Sequence, residues 1–150
     1  MNGTNLITYL RNDITSWSRF KGMFAIDQLN FSIPDTEGYY ICNTDESFQK
    51  GKHWVVIYVS KNARSIEYFD SLGKEPLDRF IKFMQTKNKK IIYNTKRLQS
   101  NISLACGYFC LYFIFLRSRG LSFSNIINIF SSSFRNNEKH VISFVKQKIK

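Results

Sequence analysis

The stretch "CGYFCLYFIFLR", Cys106 to Arg117, is apolar nearly all the way round at helical spacing. A helix with no polar face cannot lie on a surface, so the rest of the chain has to enclose it. Its longest apolar run, Tyr108 to Leu116, falls far short of the roughly 20 residues a bilayer crossing needs. The opening residues "MNGTNLITYL" have neither a basic start nor a long apolar stretch. The expectation is a soluble, intracellular, monomeric protein with no membrane contact.

What can enclose such a helix is visible in the flanking pattern. "YYICN" (39–43), "HWVVIYVS" (53–60) and "SIEYFD" (65–70) are β-branched and aromatic and read as strands, with "KNAR" as a hairpin turn. After "SLGKEP" the period changes. Leu77, Phe80, Ile81 and Met84 mark the stripe of an amphipathic helix, with Pro76 in its first turn. "KKIIYN" returns to strand character, and Phe123, Ile126, Ile127 and Phe130, then Val141, Phe144 and Val145, mark two more helices. The N-terminal part reads as irregular, with "FSIPDTEG" as a loop. The fold class is α+β: a small central mixed sheet, one buried helix and flanking helices, in a single domain over 1–150.

Three cysteines, Cys42, Cys106 and Cys110, are too few for a disulfide framework and, with only His53 and His140 beside them, for a zinc site. No metal is expected. The formal net charge of +11 is segregated: from Arg79 to Asn137 there are ten Lys or Arg and no acid. A field of that kind attracts polyanions, and Lys82, Lys87, Lys89, Lys90, Lys96 and Arg97 are the candidate nucleic-acid contacts.

The buried helix begins with a cysteine, where backbone N–H groups and the helix dipole favour a thiolate. Gly107 beside it would let a substrate backbone approach closely. A thiol nucleophile needs a base and an acceptor to orient that base. His53 opens one strand and Asp70 closes the next, which a hairpin would bring nearly opposite each other. Gln99, seven residues before Cys106 in the polar loop "RLQSNIS", can offer an amide to an oxyanion together with the Cys106 N–H.

"GKHWVVIYV", "IEYFDSLG" and "LQSNISLACGYFC" together resemble the signatures of the adenovirus-protease (adenain) and SUMO-protease clan of cysteine peptidases. The order His, acid, Gln, Cys is that clan's order. The layout is similar from Met23 to Phe115, and its spacings are nearest to adenain-like enzymes, whereas "FDSLG" reads more like the SUMO-protease branch. The resemblance implies a thiol protease with Cys106 as nucleophile, His53 as base and then acid, Asp70 as its orienting acceptor and Gln99 in the oxyanion hole. It also implies substrate contacts at Trp54, Gly51 and Gly107, with cleavage after small residues at Gly-rich sites. No cofactor is required for the chemistry, but adenain-like enzymes are activated by DNA and a viral peptide. Asp70 stands where those enzymes have Glu, and "QTKNKKIIYN" holds no cysteine to bond such a peptide.

The leading expectation is a viral or mobile-element endopeptidase that processes virion or capsid precursors, in the host nucleus or cytoplasm and packaged in the particle. One alternative is a deSUMOylase- or deubiquitinase-like protease acting on a ubiquitin-like modifier. Another is a basic DNA-binding virion protein on a degenerate protease fold.

Overall fold

A computed structural model describes residues 1–29, 37–49, 52–60 and 62–148. In chain order its elements are α1 (Gly3–Arg11), α2 (Ile14–Trp17), β1 (Phe20–Ala25), a short 3-10 turn (Ile26–Gln28), β2 (Gly38–Asn43), β3 (Trp54–Val59), β4 (Ser65–Phe69), α3 (Asp78–Gln85), β5 (Lys90–Tyr93), α4 (Cys106–Ser118), α5 (Phe123–Ile129) and α6 (Phe134–Gln147). The α+β class is as expected, with five strands in sequence order across one mixed sheet. The outer pairs β1–β2 and β4–β5 are parallel, and the inner pairs are antiparallel.

Strand β3 is apolar at every position because both faces of the sheet are covered. Val56 and Tyr58 face a core built on α4, while Val55, Ile57 and Val59 face the layer that holds Phe80, Phe83 and Met84 of α3. Helix α4 is enclosed as its sequence demands, packing on β3 and against α1, α2, α5 and α6. Phe113 stacks on Phe69 at 4.6 Å and thereby fixes α4 against β4. At the far end of α4, Arg117 grips buried Glu67 of β4 with two nitrogens, at 3.0 and 2.9 Å.

Two expectations need correction. The N-terminal part is regular: Asn2 caps α1, which buries Leu6, Tyr9 and Leu10, and β1 adds a parallel edge strand. Helix α3 starts at Asp78, so Pro76 precedes it and Leu77 is exposed, and the buried face rotates to Phe80, Phe83 and Met84. Most of "FSIPDTEG", and Gly51, lie outside the described residues.

Candidate active site

Cys106 is the first residue of α4, and Ala105 before it offers no capping side chain. The orphan N–H groups of the first turn are therefore left for the thiol, and that of Gly107 bonds it together with the backbone N–H of Trp54. His53 lies one residue before β3 and Asp70 one residue after β4. The last paired positions in the hairpin are Val56 and Phe69, so the two residues meet diagonally past the strand ends and not directly opposite. His53 Nε2 is 2.6 Å from Asp70 Oδ1, which leaves Nδ1 to face the Cys106 sulfur.

The electrostatics follow from that bridge. Burial disfavours a charged His53, but the hydrogen bonds and charges of Asp70 and Cys106 outweigh it and hold the imidazole up at about 9. Burial likewise opposes a Cys106 thiolate, and the bond to His53 with the two backbone N–H groups overcomes it, so that this thiol is lowered. Cys42 and Cys110 are fully buried without such partners, and burial pushes both well up. Cys110, one turn below, donates to the Trp54 carbonyl at 3.3 Å and packs in the core. The arrangement favours one thiolate–imidazolium pair and two inert thiols.

Gln99 shares a cleft of about 410 Å³ with His53, Asp70, Leu72, Lys74 and Leu77. Trp54 walls a second cleft of about 250 Å³ with Met23 and Phe24, so the adjacent residues His53 and Trp54 line two grooves. The Trp54 indole donates to the Met1 carbonyl at 3.2 Å. At Gly107 a Cβ would come within 3.1 Å of the Met1 sulfur and 3.3 Å of Leu6, so here the close approach is made by the N-terminal segment itself.

The structure also brings in residues the sequence does not flag. Asn94, at the end of β5, clamps the Asp70 backbone, and the Leu72 N–H donates to Asp70 Oδ1 at 2.8 Å. Ser71 donates to the Gln99 side chain. Their partners are 24 and 28 residues away, and no local pattern announces them.

The six basic candidates do not form one free patch. Lys87 is buried with its ammonium over the Phe83 ring, and Lys89 donates to the carbonyls of Ser60 and Ala63. Lys96 donates to the Phe130 carbonyl, while Arg97 bonds the Gln99 carbonyl and lies over Phe134. Lys82, Lys90 and Lys96 are exposed. Three of the six, Lys89, Lys96 and Arg97, bond backbone carbonyls.

A His–Asp pair beside a thiol at a helix start is the arrangement expected of a cysteine peptidase, and the comparisons are of that class. The model of the Ulp1 protease family, C-terminal catalytic domain, matches residues 39–149, and the chain belongs to that family. It is similar to the SUMO-1 cysteine protease of African swine fever virus, isolate Warthog/Namibia, with 34% identity over 99 residues, 59% of this chain and 36% of the relative. A candidate thiol protease of Acanthamoeba polyphaga mimivirus is 34% identical over 98 residues, 59% of this chain and 32% of the relative. The chain thus spans about a third of the length of these curated relatives.

Among solved structures, a crystal structure of the African swine fever virus protease matches with a TM-score of 0.69 at 20% identity, covering 94% of this chain and 66% of that one. The SUMO protease Ulp1, with its catalytic cysteine oxidised to a sulfinic acid, matches with a TM-score of 0.53 at 12% identity, covering 100% and 79%. These likenesses establish the fold. The family falls on the SUMO-protease branch that "FDSLG" suggested, and not on adenain specifically.

Proposed function

We propose that the chain is a thiol endopeptidase domain in which Cys106 attacks a peptide carbonyl activated by Gln99 and its own N–H. The observation that carries this reading is the bridging of Asp70 and Cys106 by His53, with the imidazole raised and the thiol lowered. The thiolate adds to the scissile carbon, and the oxyanion is received by the Gln99 amide and the Cys106 N–H. His53 gives its proton to the leaving amine, the thioester forms, and His53 then takes a proton from the water that releases the acid. Asp70 keeps the ring in place and supports its charge throughout.

The substrate reading moves from the leading expectation to its first alternative. The family and the names of two relatives point to SUMO-type proteases, which supports a ubiquitin-like modifier with a small-residue tail as substrate. The viral origin of the curated relatives supports virion precursors as the second reading. Neither reading requires nucleic acid, and Lys82, Lys90 and Lys96 are the exposed basic candidates.

Wild type and Cys106→Ala should be compared on modifier fusions ending in Gly-Gly and on precursor polypeptides containing Gly-rich sites. Cleavage by wild type alone is expected, with modifier vinyl-sulfone labelling of Cys106. Equal cleavage by both proteins would overturn the peptidase reading, and precursor cleavage without modifier labelling would shift it to the second substrate.

A further inference from the structure

Gln99 is nearly fully buried, and its side chain can act as an oxyanion donor only if the amide presents nitrogen, not oxygen, to the cleft. The two ends of an amide are almost isosteric, so shape alone does not select the orientation. Two neighbours do. The Ser103 carbonyl, which can only accept, lies 3.3 Å from Gln99 Nε2. The Ser71 hydroxyl, which is completely buried, donates to Gln99 Oε1 at 2.6 Å. Nε2 carries two hydrogens, so one can rest on Ser103 while the other remains for a ligand.

The same serine also fixes the backbone beneath that side chain. The Ser71 carbonyl accepts from the N–H groups of Leu98 and Gln99, at 2.8 and 3.2 Å. On the far side, Asn137 of α6 donates to the Leu98 carbonyl at 3.0 Å, and the Ser100 N–H donates to Glu138 at 3.1 Å. The backbone around Gln99 is thus held from the segment after β4 and from α6, and among the described residues the Ser71 hydroxyl is the one side-chain group on its amide oxygen. Ser71 directly follows Asp70, so one short segment orients both the base and the oxyanion donor.

We infer that Ser71 is a positioning residue for oxyanion stabilisation, acting through Gln99 and not through the thiol–imidazole pair. The inference rests on the thiol-peptidase reading above. In Ser71→Ala the Gln99 oxygen loses its donor, the amide is held only through Nε2 on the Ser103 carbonyl, and the oxyanion loses part of its stabilisation.

The test separates this from a general loss of structure. Ser71→Ala is expected to lower kcat about tenfold with little change in KM, against the 10²–10³-fold loss that follows removal of a whole oxyanion donor, about what Gln99→Ala should show. The affinity of a peptide aldehyde, whose adduct needs the oxyanion hole, should fall in parallel, while iodoacetamide alkylation of Cys106, which forms no oxyanion, stays within about twofold. In a Gln99→Ala background, adding Ser71→Ala should cost less than about twofold more. Full additivity, or a parallel loss of alkylation, would overturn the inference.

Ser71→Thr, which keeps the hydroxyl, should stay within about threefold of wild type. Should Ser71→Ala fail to fold, the wild-type protein decides: its Gln99 side-chain amide protons should exchange at least about tenfold more slowly than those of exposed Gln85. Equal exchange would sink the inference. Loss of all thiol-dependent cleavage in wild type would instead remove the peptidase reading while leaving the Ser71–Gln99 orientation to the exchange measurement.

Discussion

Asn94 holds Asp70 by its backbone: Nδ2 donates to the Asp70 carbonyl at 2.6 Å, and Oδ1 accepts from the Asp70 N–H at 3.0 Å. The pair links the ends of the parallel neighbours β4 and β5, so the acid that orients His53 is placed by the sheet edge. Asn94→Ala leaves buried backbone groups short of partners and should cost about 1–3 kcal/mol in denaturant unfolding. A displaced Asp70 should also lower kcat, which a peptide-cleavage assay at fixed pH will read.

The pH profile follows from His53 and Cys106 together. Activity and alkylation should rise on the acid side as the lowered Cys106 thiol ionises, and hold while His53 remains protonated. Cleavage should then fall as pH passes about 9, because the leaving amine loses its proton donor. Asp70→Asn removes the chief support of the imidazolium, so its alkaline limb should move toward the ordinary 6.5 of histidine. Its kcat should drop by about 10²–10⁴-fold.

The same shift is linked to folding. A histidine raised in the folded state contributes stability that is complete below its unfolded value of 6.5 and is lost as pH rises through about 9. The lowered Cys106 thiol contributes in the opposite sense over this window, so the decline should be read in Cys106→Ala, whose urea midpoints should fall as pH rises from 6.5. The decline should be absent in His53→Ala.

Cys106 should be labelled by iodoacetamide before the two other thiols at neutral pH. Its thiolate is supported by His53 and two N–H groups, whereas Cys42 and Cys110 are fully buried with their ionisation strongly opposed. Peptide mapping by mass spectrometry after short exposure gives the ratio. Comparable labelling of Cys110 in the folded protein would contradict the site.

Arg117 and Glu67 tie the end of α4 to β4, with side chains only 20% and 7% exposed. Arg117→Ala leaves a buried carboxylate unpaired, so the loss should be about 3 kcal/mol by chemical denaturation. Lys89→Ala, which removes a cation from the Ser60 and Ala63 carbonyls, should cost about 1.5–3 kcal/mol. A purely nucleic-acid role for Lys89 would leave stability unchanged.

The amino-acid pattern alone determined the buried helix, because an all-round apolar stripe has only one environment open to it, and Cys106–Ser118 is enclosed as that requires. It determined β2, β3 and β4 for a similar reason: their runs fit strands, and the hairpin that joins β3 to β4 brings His53 near Asp70 through a connection of a few residues. Helix α1, in a part of the chain whose sequence reads as irregular, forms behind the Asn2 cap with Leu6, Tyr9 and Leu10 buried.

Only the tertiary structure decided the rest. β1 is half-buried, lacks strong alternation, and becomes a strand by pairing with β2. The basic residues of the second half look alike in sequence, yet Lys87 is buried and Lys89, Lys96 and Arg97 are spent on carbonyls. Ser71 and Asn94 orient the two polar arms of the site through partners distant in the chain. A hydrogen bond depends on where two atoms meet in space, and that meeting leaves no period in the sequence.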